Sequence, residues 1–466
     1  MTSGDEGKLF AGLPEHPAPE RTYQDKPRLR MAERRQVELR AICLDDLVPT
    51  DHRVRMVWTF VEGLDVSALV AAVKAVEGRP GHPPADPRIL LALWLYATAD
   101  GVGSARELAR LCDEHIAYQW LCGGVGMNAK TLADFRVGHG EVLERLLVDS
   151  FTALVRAGVA SLDRVAQDGM RVRAAAGAAS FRRQATLQEC RRQAEAAVRD
   201  LRAELERDPA TASRRQAAAR QRAAADRERR VREALAVTED LRAEEAEKAR
   251  KATERAAEAA REEPAGAAPP GKRVKDKRPK EPRGSTTDPQ ARVMKMADGG
   301  FRPAYNVQFA CDTTSGAIAK VSVDNVGSDM GKMAPMSDAL AEAYDHRPAQ
   351  HLADGGFAKL DDIRALAQAG VETFVPVPTP RNPNRDRYEP LPDDPAEIAA
   401  WRTRMNTDAA KAIYKERAAS VECANAQARN KGLIQFPVRG LEAVKAVALW
   451  HALTQNMFCS WRLVPA

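Results

Sequence analysis

Residues 182–263 consist almost entirely of Ala, Arg, Glu and Gln, and no other stretch leaves the chain less choice of fold. These are strong helix formers with too little apolar surface to build a core of their own. In the first half, Leu187, Cys190, Ala194, Val198, Leu201 and Leu205 recur at steps of three and four, the seam of a coiled coil. Asp208-Pro209 interrupts it. A second arm resumes near Thr211, carries Val231, Leu235, Thr238 and Leu241, and runs to Glu263. The pattern predicts a helical hairpin inserted over 180–263, followed by a flexible basic linker over 264–283 that is dense in Pro, Gly, Lys and Arg. A hairpin of this composition acts as a spacer or a dimerisation arm, so the chemistry must lie in the flanking segments.

On the N-terminal side, residues 1–40 are rich in Pro, Arg and Glu and predict an extended arm. Residues 41–145 predict a compact helical domain. Asp86-Pro87 caps an apolar helix containing Ile89–Tyr96, Ser104-Ala-Arg-Glu107 is a capping box, Gly123-Gly124 ends a helix, and Asn128 caps another through Arg136. Arg106, Arg110, Lys130 and Arg136 on exposed turns suit a helix-turn-helix DNA reader, and they suit equally a plain bundle with a solvated basic face.

A helix over Glu141–Arg156 leads to a strand-like run that ends in Asp168-Gly169, and glycine there suggests a turn. Beyond the insertion, Ala304–Asp312 and Ala317–Val323 alternate with period two around Thr313-Thr-Ser-Gly316, a β-hairpin. Then come a helix capped at Ser328 and running through Tyr344, a strand over Gln350–Asp354 leading into Gly355-Gly356, and a helix over Leu360–Ala369. A strand over Thr373–Val377, a Pro-rich connection over Pro378–Pro395, a long helix over Thr407–Arg429 and a last apolar helix over Leu441–Phe458 complete the series. Without the insertion this is a mixed α/β sheet with helices.

Burying an ionised Asp in a strand costs several kcal/mol unless a cation or a set of donors meets it, so strand carboxylates are natural metal ligands. Neighbouring strands would bring Asp168 and Asp354 to one ion, with Glu422 supplied by a helix packed across them. At about 100° per residue, Tyr414, Arg417, Glu422 and Arg429 fall within an arc of roughly 140° on one helix face, a poor core stripe and a good one for a metal and phosphates. Asp298, Asp312, Asp324 and Asp329 are competing acids that read as turn or cap residues.

These residues carry a resemblance. Ala166-Gln-Asp168-Gly, Thr287-Asp-Pro-Gln-Ala-Arg292, Pro303-Ala-Tyr-Asn-Val-Gln308, Ala353-Asp354-Gly-Gly-Phe, Tyr414-x-x-Arg417 with Glu422, and Arg439-Gly stand in an order that resembles bacterial insertion-sequence transposases of the DDE superfamily, over about residues 44–462. The chain departs from that pattern at Met170, where a small hydroxyl residue is common, at Phe357 for Tyr, and at Arg429 for Lys. The resemblance implies a helical N-terminal domain and a ribonuclease H-like catalytic domain over 146–466. It makes Asp168, Asp354 and Glu422 the catalytic and metal-binding triad and Tyr414, Arg417 and Arg429 the DNA contacts. The implied cofactors are two Mg²⁺ ions, replaceable by Mn²⁺, and the implied partner is double-stranded DNA, bound by a homodimer. The implied reaction is cleavage at terminal inverted repeats and joining of the freed 3′-OH to target DNA. A nuclease or inactive remnant that does not join strands, and a non-enzymatic DNA-binding protein, are the alternatives.

Composition agrees with this reading. The 466 residues allow two or three domains, and the net charge of +6 is compatible with a polyanion. Seven Cys stand without a Cys-x-x-Cys pair, which argues against a zinc site or a disulfide framework. With no apolar run of membrane-spanning length, the expected location is the cytoplasm, on the nucleoid.

Overall fold

The computed structural model describes residues 41, 43–75, 83–207, 213–262, 281–380, 382 and 384–463. The expected N-terminal arm, the Asp208-Pro209 break and most of the basic linker lie outside them.

From Leu44 onward the chain forms one compact unit. It begins with α1 (Arg53–Glu62), α2 (Ser67–Ala71), α3 (Pro87–Ala99), α4 (Ala105–Glu114), α5 (Ile116–Cys122), α6 (Ala129–Gly138) and α7 (Gly140–Arg156). The capping residues act as expected. Asp86 accepts from the Arg88 amide at 2.8 Å, Ser104 from Glu107 at 3.4 Å and Asn128 from Thr131 at 2.9 Å, and Gly123 ends α5 in the left-handed conformation. The expected basic face is corrected at one position: Arg136 is buried. Arg110 and Lys130 are exposed but paired within their own helices, with Glu107 and Glu114 and with Asp134.

The sheet contains β1 (Arg164–Arg173), β4 (Arg292–Lys295), β5 (Phe301–Asp312), β6 (Ile318–Asp324), β7 (Gln350–Leu352) and β8 (Glu372–Phe374), after a separate two-stranded ribbon of β2 (Phe181–Arg182) and β3 (Gly284–Ser285). The order is β4-β5-β1-β7-β8, with β6 also on β5. β5 is antiparallel to β1, β4 and β6, whereas β1, β7 and β8 are mutually parallel. An antiparallel half joined to a parallel half through the first strand is the mixed sheet expected of a ribonuclease H-like fold. The helices α10 (Met333–Tyr344), α11 (Leu360–Gln368), α12 (Ala396–Asn406), α13 (Asp408–Arg417), α14 (Cys423–Asn430) and α15 (Leu441–Leu463) complete it. α15 packs on α3, α6 and α7 and also on β6, so buried Trp94, Trp401, Trp450, Tyr305 and Phe309 share one apolar cluster. Among the described residues no helix is long and apolar enough to cross a membrane.

The insertion is α8 (Gln184–Arg207) packed against α9 (Arg214–Glu262), closed by Leu187, Ala234 and Leu235. The β2–β3 ribbon forms its neck, and Gly284 lies so close to α9 that an added Cβ would sit 2.5 Å from the Ala234 carbonyl oxygen.

Three expectations change. Ser328 does not cap α10, whose N-cap is Lys332. β7 stops at Leu352, before Asp354. Asp168-Gly169 does not end a strand, because β1 continues to Arg173. Gly169 is there for closeness: a Cβ would lie 2.3 Å from Gln308 Nε2 and 2.4 Å from Asp329 Oδ1. Those atoms belong to a buried polar layer beneath the sheet. Gln167 donates to Gln308 Oε1 at 3.0 Å and pairs with His351 Nε2 at 2.9 Å. Gln308 and Asn306 both donate to Asp329 Oδ1 at 2.7 Å, and Arg171 meets the other Asp329 oxygen at 2.9 Å. Asp329 is therefore a network residue, while Asp298, Asp312 and Asp324 accept from the amides of Gly300, Ser315 and Val326 as turn residues.

Gly169→Ala should displace two members of this layer and cost about 1–3 kcal/mol, read as a lower urea or thermal midpoint. Burial pushes the His351 pKa down from 6.5 to about 4. The unfolded chain takes up a proton below about 6.5 that the folded one refuses until about 4. Stability from this group is thus complete above that window and is lost as pH falls through it, by about 3 kcal/mol at most. Urea titrations at pH 7 and pH 5 should show a smaller acid loss for His351→Gln than for the wild type.

Candidate active site

Parallel pairing sets the first two acids. The last rung between β1 and β7 joins Ala166 to Leu352, and Asp168 and Asp354 each stand two residues further along. Asp168 remains inside β1, with its side chain 20% exposed. Asp354, past the end of β7, caps the short turn Gly355–Phe357 and accepts from the Gly356 amide at 2.8 Å.

The third acid arrives on an irregular helix. The expected continuous helix over Thr407–Arg429 is instead α13, a π-helical segment Ala418–Glu422, and α14. In an α-helix, residues five apart are about 140° apart around the axis, so Arg417 and Glu422 would stand at opposite edges of the expected face. The π turn, closed by i→i+5 bonds, brings them together, and Arg417 Nη2 donates to Glu422 Oε1. Ser420 Oγ donates to the carbonyls of Glu416 at 2.8 Å and Arg417 at 3.3 Å within this segment. Arg164 of β1 clamps Glu416 with bonds of 2.6 and 2.7 Å, fixing the end of α13 against the strand.

The acids therefore gather around a resident cation. Arg417 Nη1 lies 3.6 Å from Asp168 Oδ1, is buried and makes no hydrogen bond. Burial opposes the charge of Arg417 most strongly, yet Tyr414, Asp168, Glu422 and Asp354 together more than offset it, so its pKa is raised. Burial is also the main cause that raises the Asp168 pKa, with the charge of Asp354 adding to it and Arg417 and Asn425 opposing it. Tyr414 is half-buried, its ring centroid 5.8 Å from the Arg417 guanidinium carbon, and burial raises its hydroxyl. Arg429 is exposed on α14.

Sequence reasoning missed Asn425. Its Nδ2 donates to Asp168 Oδ2 at 2.9 Å, and its buried Oδ1 has no partner among the described residues. The signal was its place one turn beyond Glu422 on the same side of the helix.

Among the described residues, no three acidic, His or Cys side chains already share one point suited to an ion. The donor chemistry nevertheless fits a hard divalent cation: carboxylate oxygens from a strand, the turn after a parallel strand and a helix, around a half-buried carboxylate that already draws in a guanidinium.

Two family models match. Residues 42–137 match a transposase domain (DUF772), and residues 275–457 match a transposase DDE domain. The chain belongs to the insertion-sequence transposases of the DDE superfamily. No curated protein and no solved structure matches it. The DDE match contains Asp354 and Glu422, whereas Asp168 lies between the two matched segments. DNA is therefore the partner that the family implies for this transposase.

Arg417→Ala should leave the site acids without their counter-charge and cost about 2 kcal/mol at pH 7, most of it from half-buried Asp168 rather than exposed Glu422. The protection Arg417 gives is present above the carboxylate range and fades as pH falls through it. Urea titrations should accordingly show the gap between wild type and variant narrowing at pH 4.

Proposed function

We propose that this transposase binds the terminal inverted repeats of its element, cuts the DNA there, and joins the freed 3′-OH ends to target DNA. The observation that carries the reading is the gathering of Asp168, Asp354 and Glu422 about Arg417, from β1, the turn that follows β7, and a π turn.

Asp168, Asp354 and Glu422 would hold the divalent ions, Mg²⁺ or Mn²⁺, which when bound polarise phosphate oxygens and lower the pKa of water. Asn425 holds one oxygen of Asp168, fixing which oxygen faces Arg417. Arg417, already desolvated and with an unsatisfied N–H, offers a charge-assisted hydrogen bond to a phosphate oxygen. Arg429, exposed two helical turns beyond Glu422, contributes a second positive charge to the same side of α14. The half-buried Tyr414 ring supports the Arg417 guanidinium and shields it from water. The helices over 41–145 would bind the element ends, and the α8–α9 arm would join two copies on DNA.

Incubation with Mg²⁺ and a duplex carrying the terminal repeats should give joined products. Asp168→Asn should abolish cleavage while leaving DNA affinity unchanged in a binding assay. Cleavage by this variant at the wild-type rate would remove Asp168 from the chemistry. Cleavage without joining by the wild type would reduce the protein to a nuclease.

A further inference from the structure

A second cationic place lies away from the acids, where the N-terminal helices meet the C-terminal helix. A cavity of about 90 Å³ opens there between α3, the α3–α4 connection, α6, the segment following α14, and α15. This exceeds the roughly 10–15 Å³ that one water molecule needs. Its floor is Arg136, only 8% exposed. The guanidinium lies 4.9 Å from the Trp94 ring centroid and Nη1 donates to the Gly103 carbonyl, while Nε is buried without a partner. Burial alone pushes the Arg136 pKa down, to about 10, because no acid stands against it. No lining residue is acidic.

Two further nitrogen-bearing side chains line this space, and Arg136 remains its cation. Lys431 lines it from the segment after α14 with its stem, its Nζ turned to Gln427 Oε1 at 3.5 Å and to the Phe458 ring at 4.6 Å, and His451 lines it from α15 as a neutral imidazole, burial and Lys431 pushing its pKa down to about 3, with a buried Nδ1 that has no partner among the described residues. The mouth is made small by Gly101, Gly103 and Gly432. Gly432, at φ +93°, approaches so closely that a Cβ there would be 3.2 Å from the Gly101 carbonyl oxygen. Glycines at a mouth let a backbone-borne group come near. A buried guanidinium with a free N–H, no carboxylate and an open path is a common arrangement for binding a phosphate.

We propose that this cavity binds a phosphate group, and, resting on the DNA-transposition reading, that the phosphate belongs to a DNA strand. Its wall continues directly from α14, the helix that follows Glu422, so a strand anchored here is registered against the third acid through one short segment. The site differs from the exposed, self-paired Arg110 and Lys130, which have partners already.

Two variants of the full chain test it. Arg136→Gln removes the charge. Gly103→Leu narrows the mouth, since a side chain started there has its nearest neighbour, Pro437, at 4.0 Å, and it leaves Arg136 in place should the first variant fold poorly. Inorganic phosphate titrated calorimetrically at constant ionic strength should bind the wild type, and bind either variant about tenfold more weakly or worse. With a short DNA duplex, the slope of log affinity against log salt should become shallower by about one for each variant. Weakened phosphate binding with an unchanged DNA slope would show a site for free phosphate and overturn its assignment to DNA. Folded variants that match the wild type in both assays would overturn the site altogether. Loss of phosphate binding in the variants when no form binds DNA would uphold the phosphate site and defeat the transposition reading instead.

Discussion

A carboxylate inside a sheet must be met by positive charge, and the arrangement around Asp168 follows from that requirement. Its Oδ2 is held by Asn425 and its Oδ1 faces Arg417, which turns its other nitrogen to Glu422. Asp354 arrives at the same level through the parallel register of β7 on β1. Each contact comes from a different element, so the site exists only when strand order, helix position and helix register are all correct. The Arg164–Glu416 pair, in which Nη1 donates to both carboxylate oxygens, and the π turn set the last two.

The two faces of β1 divide the work. Gln167, Gly169 and Arg171 look onto a polar layer tied by Asp329, while Asp168 on the opposite face looks toward α13 and α14. A satisfied buried network is stiff, because any shift leaves a polar group unpaired. The strand that carries the first acid is thereby fixed from below, while the acid itself is met from above by Arg417 and Asn425.

Much of this was legible in the residues and some was not, for physical reasons. The caps at Asp86, Ser104 and Asn128 are local, and so are the alternation of Ala304–Asp312 and the apolar steps of the α8–α9 hairpin; all could be read from spacing. Asp168, Asp354 and Glu422 were singled out through the resemblance to DDE transposases, because an acid beside glycine is by itself an ordinary turn residue. The π turn was hidden, because an arc drawn at 100° per residue presumes an unbroken α-helix. Gly169 looked like a turn because the atoms that exclude a side chain come from β5 and from Asp329, far along the chain. Asn425 and Arg136 were missed or misplaced for the same reason: the partner of one lies on β1, and the burial of the other is decided by Trp94 and by the packing of α15. Long-range contacts leave no local period to read.

The central claim is that residues 168, 354 and 422 converge on one divalent-cation place. Replacing the ion with Fe²⁺ and generating hydroxyl radicals with ascorbate would cut the polypeptide wherever it lies beside bound metal. Cuts near all three residues in the DNA-bound wild type, suppressed by excess Mg²⁺ and absent in Asp354→Ala, are the expected result. Cuts confined to one of the three, or unchanged by Mg²⁺ and by the substitution, would contradict the account.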